Sequence, residues 1–185
     1  MIDEILFKTE SRYERCIEIA KEDFAGIRTG RANAGMFSKI VVDYYGAPTP
    51  LQQLASFNIP EARTVMVTPF DKGSMAAIEK AIRDSDLGVN PSNDGNTIRL
   101  NMPLLTEERR KEYVKLARTK AEDARVALRN GRRKAKDALD KMQKDGEAGE
   151  DDCKRAMAEV ESLTKKHVEM IDKLLAGKES ELLEV

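Results

Sequence analysis

Apolar residues recur at helical spacing at both ends of the chain and at strand spacing between them. Near the start, Tyr13, Ile17, Ala20, Phe24 and Ile27 follow one another at steps of 4, 3, 4 and 3. That spacing makes one stripe of an amphipathic helix, predicted over residues 3–28, with glycines at 26 and 30 weakening its end. Toward the other end, Thr106 is a plausible N-cap, and Glu107 and Glu108 sit well at the positive end of a helix dipole. From there Val114, Ala117, Ala121, Ala124, Leu128, Gly131, Ala135, Ala138 and Met142 alternate steps of 3 and 4. This heptad seam of mostly small residues predicts a helix over residues 106–144. The run Asp145-Gly146-Glu147-Ala148-Gly149 reads as a turn. A further helix opens with Glu150, Asp151 and Asp152 and carries the stripe Cys153, Met157, Val160, Thr164, His167, Ile171 and Leu174. A short turn makes two such helices antiparallel neighbours. The first helix has a matching stripe, so the pattern predicts a three-helix bundle of residues 1–30 and 106–185. The near-3.5-residue period predicts a slight left-handed twist, and the small seam residues predict close helix approach.

The six prolines, at 48, 50, 60, 69, 91 and 103, all lie in the middle of the chain. Proline breaks helix interiors, so the flanks are free to be helical and the middle is not. Ile40, Val42 and Tyr44 alternate as a strand would; residues 51–59 and 62–68 read as further strands. Residues 75–84 read as a short helix, and Val89 and residues 97–100 as strand pieces around the turn Asn93-Asp94-Gly95. The fold class is therefore α+β: an elongated three-helix bundle with a small inserted domain at residues 31–105. The chain enters the insertion near Gly30 and Arg31 and leaves it near Leu104, Leu105 and Thr106. Two covalent strands at one place suit a hinge, and relative domain movement is the expectation.

Composition agrees with helices more than with a β-rich fold. Charged residues make up 35% and aromatics 5% of the 185 residues. The net charge of -1 hides a strong polarity. Residues 109–136 hold twelve Lys/Arg against three Asp/Glu, whereas residues 145–185 hold six against twelve. The insertion is balanced, with seven of each. Cys16 and Cys153 fit no metal spacing and no disulfide framework and are read as small core residues. No signal-like segment and no bilayer-length apolar run is present, so a soluble cytoplasmic protein with no membrane partner is expected.

The basic cluster is the main candidate for function. Arg118, Arg125, Arg129, Arg132 and Lys136 are spaced 7, 4, 3 and 4 and share one helical face, and no acid occurs from 124 to 136. Guanidinium groups make bidentate contacts with phosphates and stack on bases, so the face is read as a grip on RNA or another polyanion. The alternative is an ordinary solvated face, which usually mixes signs at i+4 spacing. Arg28 and Arg31 either extend this surface or pair with nearby acids. Gly131 lies inside the predicted basic helix at a cost of roughly 1 kcal/mol. It marks either a close approach or a tolerated local weakness, and the latter is preferred. His167 falls on an apolar stripe and is read as structural. Asp151 and Asp152 are explained by the helix dipole. With one histidine, no metal-ligand set and no phosphate-binding loop, no catalytic site, metal or cofactor is expected.

Several segments together resemble the bacterial ribosome recycling factor family. They are Ile27-Arg28-Thr29-Gly30-Arg31-Ala32, Val42-Asp43-Tyr44-Tyr45-Gly46-Ala47-Pro48-Thr49-Pro50-Leu51, Gln53-Leu54-Ala55-Ser56, Ser85-Asp86-Leu87-Gly88 and Asn90-Pro91. Leu105-Thr106-Glu107-Glu108-Arg109-Arg110-Lys111 and Arg125-Val126-Ala127-Leu128-Arg129-Asn130 complete the series. The stretch 147–185, closing Glu-Leu-Leu-Glu-Val, is similar in character to actinobacterial members. The resemblance implies an L-shaped, tRNA-like molecule, a three-helix bundle hinged to a β/α/β domain. It implies a factor that binds the post-termination ribosome and, with elongation factor G, splits it into subunits to release mRNA and tRNA. The implied partners are the large ribosomal subunit, through its RNA, and elongation factor G, with the chain itself a monomer. Arg129 and Arg132 match the family's RNA-contacting arginines, with Arg28 and Arg31 on the same surface. The family usually carries a branched apolar residue where this chain has Gly131. Without the resemblance, the alternative is a coiled-coil adaptor that binds RNA or protein and has no ribosomal role.

Overall fold

The computed structural model describes residues 1–184. Its helices are α1 (Ile2–Ala25), α2 (Met75–Arg83), α3 (Glu107–Lys144) and α4 (Glu150–Leu183). Its strands are β1 (Val41–Tyr44), β2 (Ala47–Pro50), β3 (Ala55–Glu61), β4 (Thr64–Pro69), β5 (Ser92–Asn93) and β6 (Ile98–Asn101). The chain forms two compact units: residues 1–24 with 115–179, and residues 25–114 with 180–184. The second unit thus includes residues 25–30 and 106–114 as well as the insertion.

In the first unit the predicted stripes face inward. Thr9, Tyr13, Ile17, Ala20 and Phe24 are buried on α1. On α3 the buried series is Ala117, Ala121, Ala124, Leu128, Gly131, Ala135, Leu139 and Met142. Leu139 rather than Ala138 takes the buried place, because the larger side chain gains more from leaving water. On α4, Cys153, Ala156, Val160, Thr164, His167 and Ile171 are buried, so Ala156 replaces the predicted Met157. The turn between α3 and α4 closes through Gly146, whose φ of 70° is one that glycine adopts without steric cost.

Gly131 is a point of close helix approach, which corrects the preference for local weakness. A Cβ there would lie 2.8 Å from Tyr13 Cε1 and 3.3 Å from Arg12 Cδ. Tyr13 is fully buried. Its hydroxyl is 2.7 Å from the Thr164 hydroxyl, which donates in turn to the Val160 carbonyl. The His167 ring packs on the Tyr13 ring at 5.3 Å between centroids, and His167 Nδ1 donates to the Leu163 carbonyl at 2.7 Å. One aromatic side chain on α1 therefore joins a glycine on α3 to a hydroxyl and an imidazole on α4.

The second unit has a core of larger apolar side chains. Phe37, Val42, Leu51, Val65, Val67, Ile78, Ile82, Ile98 and Leu100 are fully buried there. The main sheet is antiparallel with order β3-β4-β6-β5, and α2 lies against β1. The second sheet pairs β1 with β2, Val41 opposite Pro50 and Tyr44 opposite Ala47. Residues 47–50, left unassigned by the sequence pattern, form β2 despite Pro48 and Pro50. A two-stranded ribbon has free edges, where proline is tolerated. Its turn, Tyr45-Gly46, has φ of 50° and 84°, the double positive pattern of a tight hairpin. Residues 51–53, predicted as strand, form a 3-10 turn before β3. Asp94 closes the turn before β6 by accepting from the backbone N–H groups of Asn96 and Thr97.

Helix α1 stops at Ala25 rather than at 28. Gly26 follows it, and Arg28 turns into the second unit, where its guanidinium donates to the Pro103 carbonyl. Burial lowers the pKa of that guanidinium.

Candidate nucleic-acid interface

Helix α3 begins where the sequence places it. Thr106 Oγ accepts from the Arg109 N–H at 3.2 Å, the bond expected of an N-cap. From this start the helix presents Arg118, Arg125, Arg129, Arg132 and Lys136 along one side. Arg118, Arg129 and Lys136 are exposed, and Arg125 and Arg132 are half-buried. The spacing of seven between Arg118, Arg125 and Arg132 is two turns, so their anchoring points stand about 10 Å apart along the axis.

The face is not unpaired. Arg118 Nε donates to Glu179 at 2.6 Å. Arg125 donates to Asp172 from Nε at 3.0 Å and from a terminal nitrogen at 2.6 Å. Arg132 Nε donates to Glu161 at 2.8 Å. These three acids belong to α4, and their numbers fall as the arginine numbers rise, as antiparallel helices require. Within α3, Glu122 accepts from Arg129 at 3.0 Å and from Arg125 at 3.3 Å. Lys136 pairs with Asp140 at 2.6 Å. The hydrogen bond from Arg132 holds Glu161 below the usual glutamate range, and the bonds from Arg129 and Arg125 do the same to Glu122.

The acid-free stretch in the sequence therefore becomes a face of alternating charge in the fold. The carboxylates on α4 were missed because they lie 29 to 61 residues away in the chain. Glu161, Asp172 and Glu179 are spaced 11 and 7, near whole helical turns, and that spacing beside a basic helix is the signal that points to them.

The remaining site residues are not part of α3. Arg28 is buried with its Nε unpartnered, so it is not on an exposed surface. Its bond to Pro103 ties together the two segments through which the chain enters and leaves the insertion. Arg31 is exposed, and its carbonyl accepts from Thr29 Oγ at 3.0 Å. Gly30, Arg31, Leu104, Leu105 and Thr106, read as a hinge from sequence, all fall inside the second unit. Leu104 is 69% exposed, whereas Leu105 is buried. His167 and Cys153 are buried, and Cys16 is half-buried. Among the described residues no cluster of His, Cys, Asp or Glu could hold a metal, and no helix is long and apolar enough to cross a membrane.

Comparison with known proteins gives one answer. The family described as ribosome recycling factor matches residues 20–183. The chain is 68% identical to the ribosome-recycling factor of Kineococcus radiotolerans and 62% identical to that of Pseudarthrobacter chlorophenolicus, each over the whole of both chains. Among solved structures it resembles a solution structure of ribosome recycling factor with a TM-score of 0.78 at 38% identity, covering 100% of this chain and 98% of that one. It also resembles the T. thermophilus ribosome recycling factor, fitted together with E. coli elongation factor G to the E. coli post-termination complex. There the TM-score is 0.70 at 44% identity, over the whole of both chains.

Proposed function

The chain belongs to the ribosome recycling factor family, and from that premise we propose that it binds the post-termination ribosome. Acting with elongation factor G, it separates that ribosome into subunits and releases mRNA and tRNA. The observation that carries the binding half is the array on α3, four arginines and a lysine held side by side on one helix. In this reading the array meets phosphates of the large-subunit ribosomal RNA, with Arg129 and Arg132 at its centre and Arg118, Arg125 and Lys136 flanking them. Arg31, exposed in the second unit, is a further RNA contact in this reading. Arg28 is assigned to the Pro103 clasp instead, because its guanidinium is already buried.

The factor performs no chemistry of its own. It acts as a monomer in the cytoplasm, and GTP is hydrolysed on its partner. The segments around Gly30–Arg31 and Leu104–Thr106 are the proposed place of flexing.

The test is subunit splitting. Post-termination ribosomes, elongation factor G and GTP are mixed with and without this protein, and subunits are counted on a gradient. Splitting that needs all components is the expected result; equal splitting without the protein removes the reading. Binding to isolated large subunits should also weaken steeply with salt, because each neutralised phosphate releases counterions. A flat salt response would exclude the arginine array as the contact.

A further inference from the structure

Each of the three arginines spaced two turns apart on α3 is met by its own carboxylate from α4. Arg118 has Glu179, Arg125 has Asp172 and Arg132 has Glu161. The pairs sit near the surface: the side chains of Arg118, Arg125 and Arg132 are 66%, 20% and 42% exposed. Such pairs add little to folding, since exposed ion pairs are weak and screened by salt. Their geometry does more. Arg125 and Arg132 each bring two nitrogens to one carboxylate oxygen, and Arg125 is further bracketed by Glu122. A carboxylate and a phosphate offer a guanidinium the same kind of acceptor oxygens. The carboxylates thus occupy the positions that incoming phosphates would take, and they hold the guanidiniums at a fixed spacing.

We propose that Glu161, Asp172 and Glu179 set the strength of RNA binding, acting as internal competitors that a phosphate array must displace from Arg118, Arg125 and Arg132. The proposal rests on the reading of α3 as the ribosomal RNA interface. A flexible or irregular RNA strand meets one guanidinium at a time and must displace only its carboxylate. A folded RNA surface with phosphates in register exchanges all three pairs in one event. The acids lower affinity for every polyanion, and they lower it most for a ligand that must break all three pairs.

Three proteins test this: the unaltered chain, the triple variant Glu161→Gln/Asp172→Asn/Glu179→Gln, and the control Glu150→Gln/Asp151→Asn/Asp152→Asn. The control removes the same number of charges from the first turn of α4, where Glu150 and Asp152 pair with Lys154 and Arg155 rather than with Arg118, Arg125 or Arg132. Binding is measured to a single-stranded RNA of mixed sequence and to purified large ribosomal subunits, at the same low salt. Circular dichroism checks that each variant keeps its helices. If a triple variant loses helix, the single variants Glu161→Gln and Asp172→Asn are measured in its place. The expected result is a gain of about tenfold in affinity for the subunit, a gain under threefold for the single strand, and little change in the control. The proposal is overturned if subunit affinity does not rise, if both ligands gain equally, or if the control gains as much as the triple variant. Failure of the parent reading looks different: the unaltered chain would then show no preference for the subunit over the single strand.

Discussion

The two units bury their interiors by opposite means. The helical unit packs through alanine and glycine, with Ala117, Ala121, Ala124, Gly131 and Ala135 facing the neighbouring helices. The second unit packs through Phe37, Leu51, Ile78, Ile82, Ile98 and Leu100 around a sheet. A core of large side chains gains stability from each group removed from water. A seam of small ones gains less per residue and depends on close backbone approach. The small seam leaves α3 narrow, and the outward positions are then free for long charged side chains. The unit that carries the proposed interface is therefore the one that is sensitive to added bulk, and its counterpart is sensitive to lost bulk.

The largest test of that contrast is Ile78→Ala in the second unit. Ile78 is fully buried, and truncation should cost about 2–5 kcal/mol in urea denaturation. A loss below about 1 kcal/mol would mean that this core is looser than its burial indicates. The converse change is Gly131→Ala in the helical unit. Alanine is the better helix former by roughly 1 kcal/mol, yet its Cβ would meet the Tyr13 ring at 2.8 Å. Overpacking of this kind costs about 1–3 kcal/mol, so a net loss of stability is expected; a gain would break the contrast.

Arg132→Ala separates folding from binding. Ribosome affinity should fall by about 1–3 kcal/mol, the range for a charged hydrogen bond, while the melting temperature stays nearly unchanged. A collapse in melting temperature would make Arg132 structural. Smaller still is Tyr13→Phe, which removes the bond to Thr164 and should cost about 0.5–1.5 kcal/mol by thermal melting. No change would show that the hydroxyl is not part of the seam's rigidity.

The smallest effect is a titration. The Glu161 carboxyl, followed by NMR, should titrate below the ordinary glutamate value because Arg132 donates to it. Its folded pKa is depressed, so its contribution to stability is present above the unfolded pKa and fades as pH falls through the folded one. In Arg132→Ala the midpoint should move up; an unmoved midpoint would mean the pair does not persist in solution.

The helices were legible because their apolar period is long and regular; eight or more residues on α3 vote for the same phase. Where a small and a large residue adjoin, as at Ala138 and Leu139, period alone does not decide which turns inward. Strand β2 was hidden because Pro48 and Pro50 speak against a strand unless it is known to lie at an edge. The basic face of α3 was legible, since its spacing is local. Its carboxylate partners were not, because the register between α3 and α4 depends on the geometry of the turn at residues 145–149. Arg28 looked like one more surface cation, and nothing in its neighbours indicates that its partner is a carbonyl 75 residues away.

That bond between Arg28 and Pro103 bears on the order of folding. The contacts of α3 with α4 bridge a short turn, so closing them costs little chain entropy. Those of α1 do not: Tyr13 and Thr164 are 151 residues apart. Closing so long a loop is entropically unfavourable. Once the second unit has folded, the clasp holds residues 28 and 103 together and removes about half of the intervening chain from the search. The insertion then works as a splint for assembly, and Arg28→Ala should slow the docking of α1 onto the α3–α4 hairpin in stopped-flow refolding.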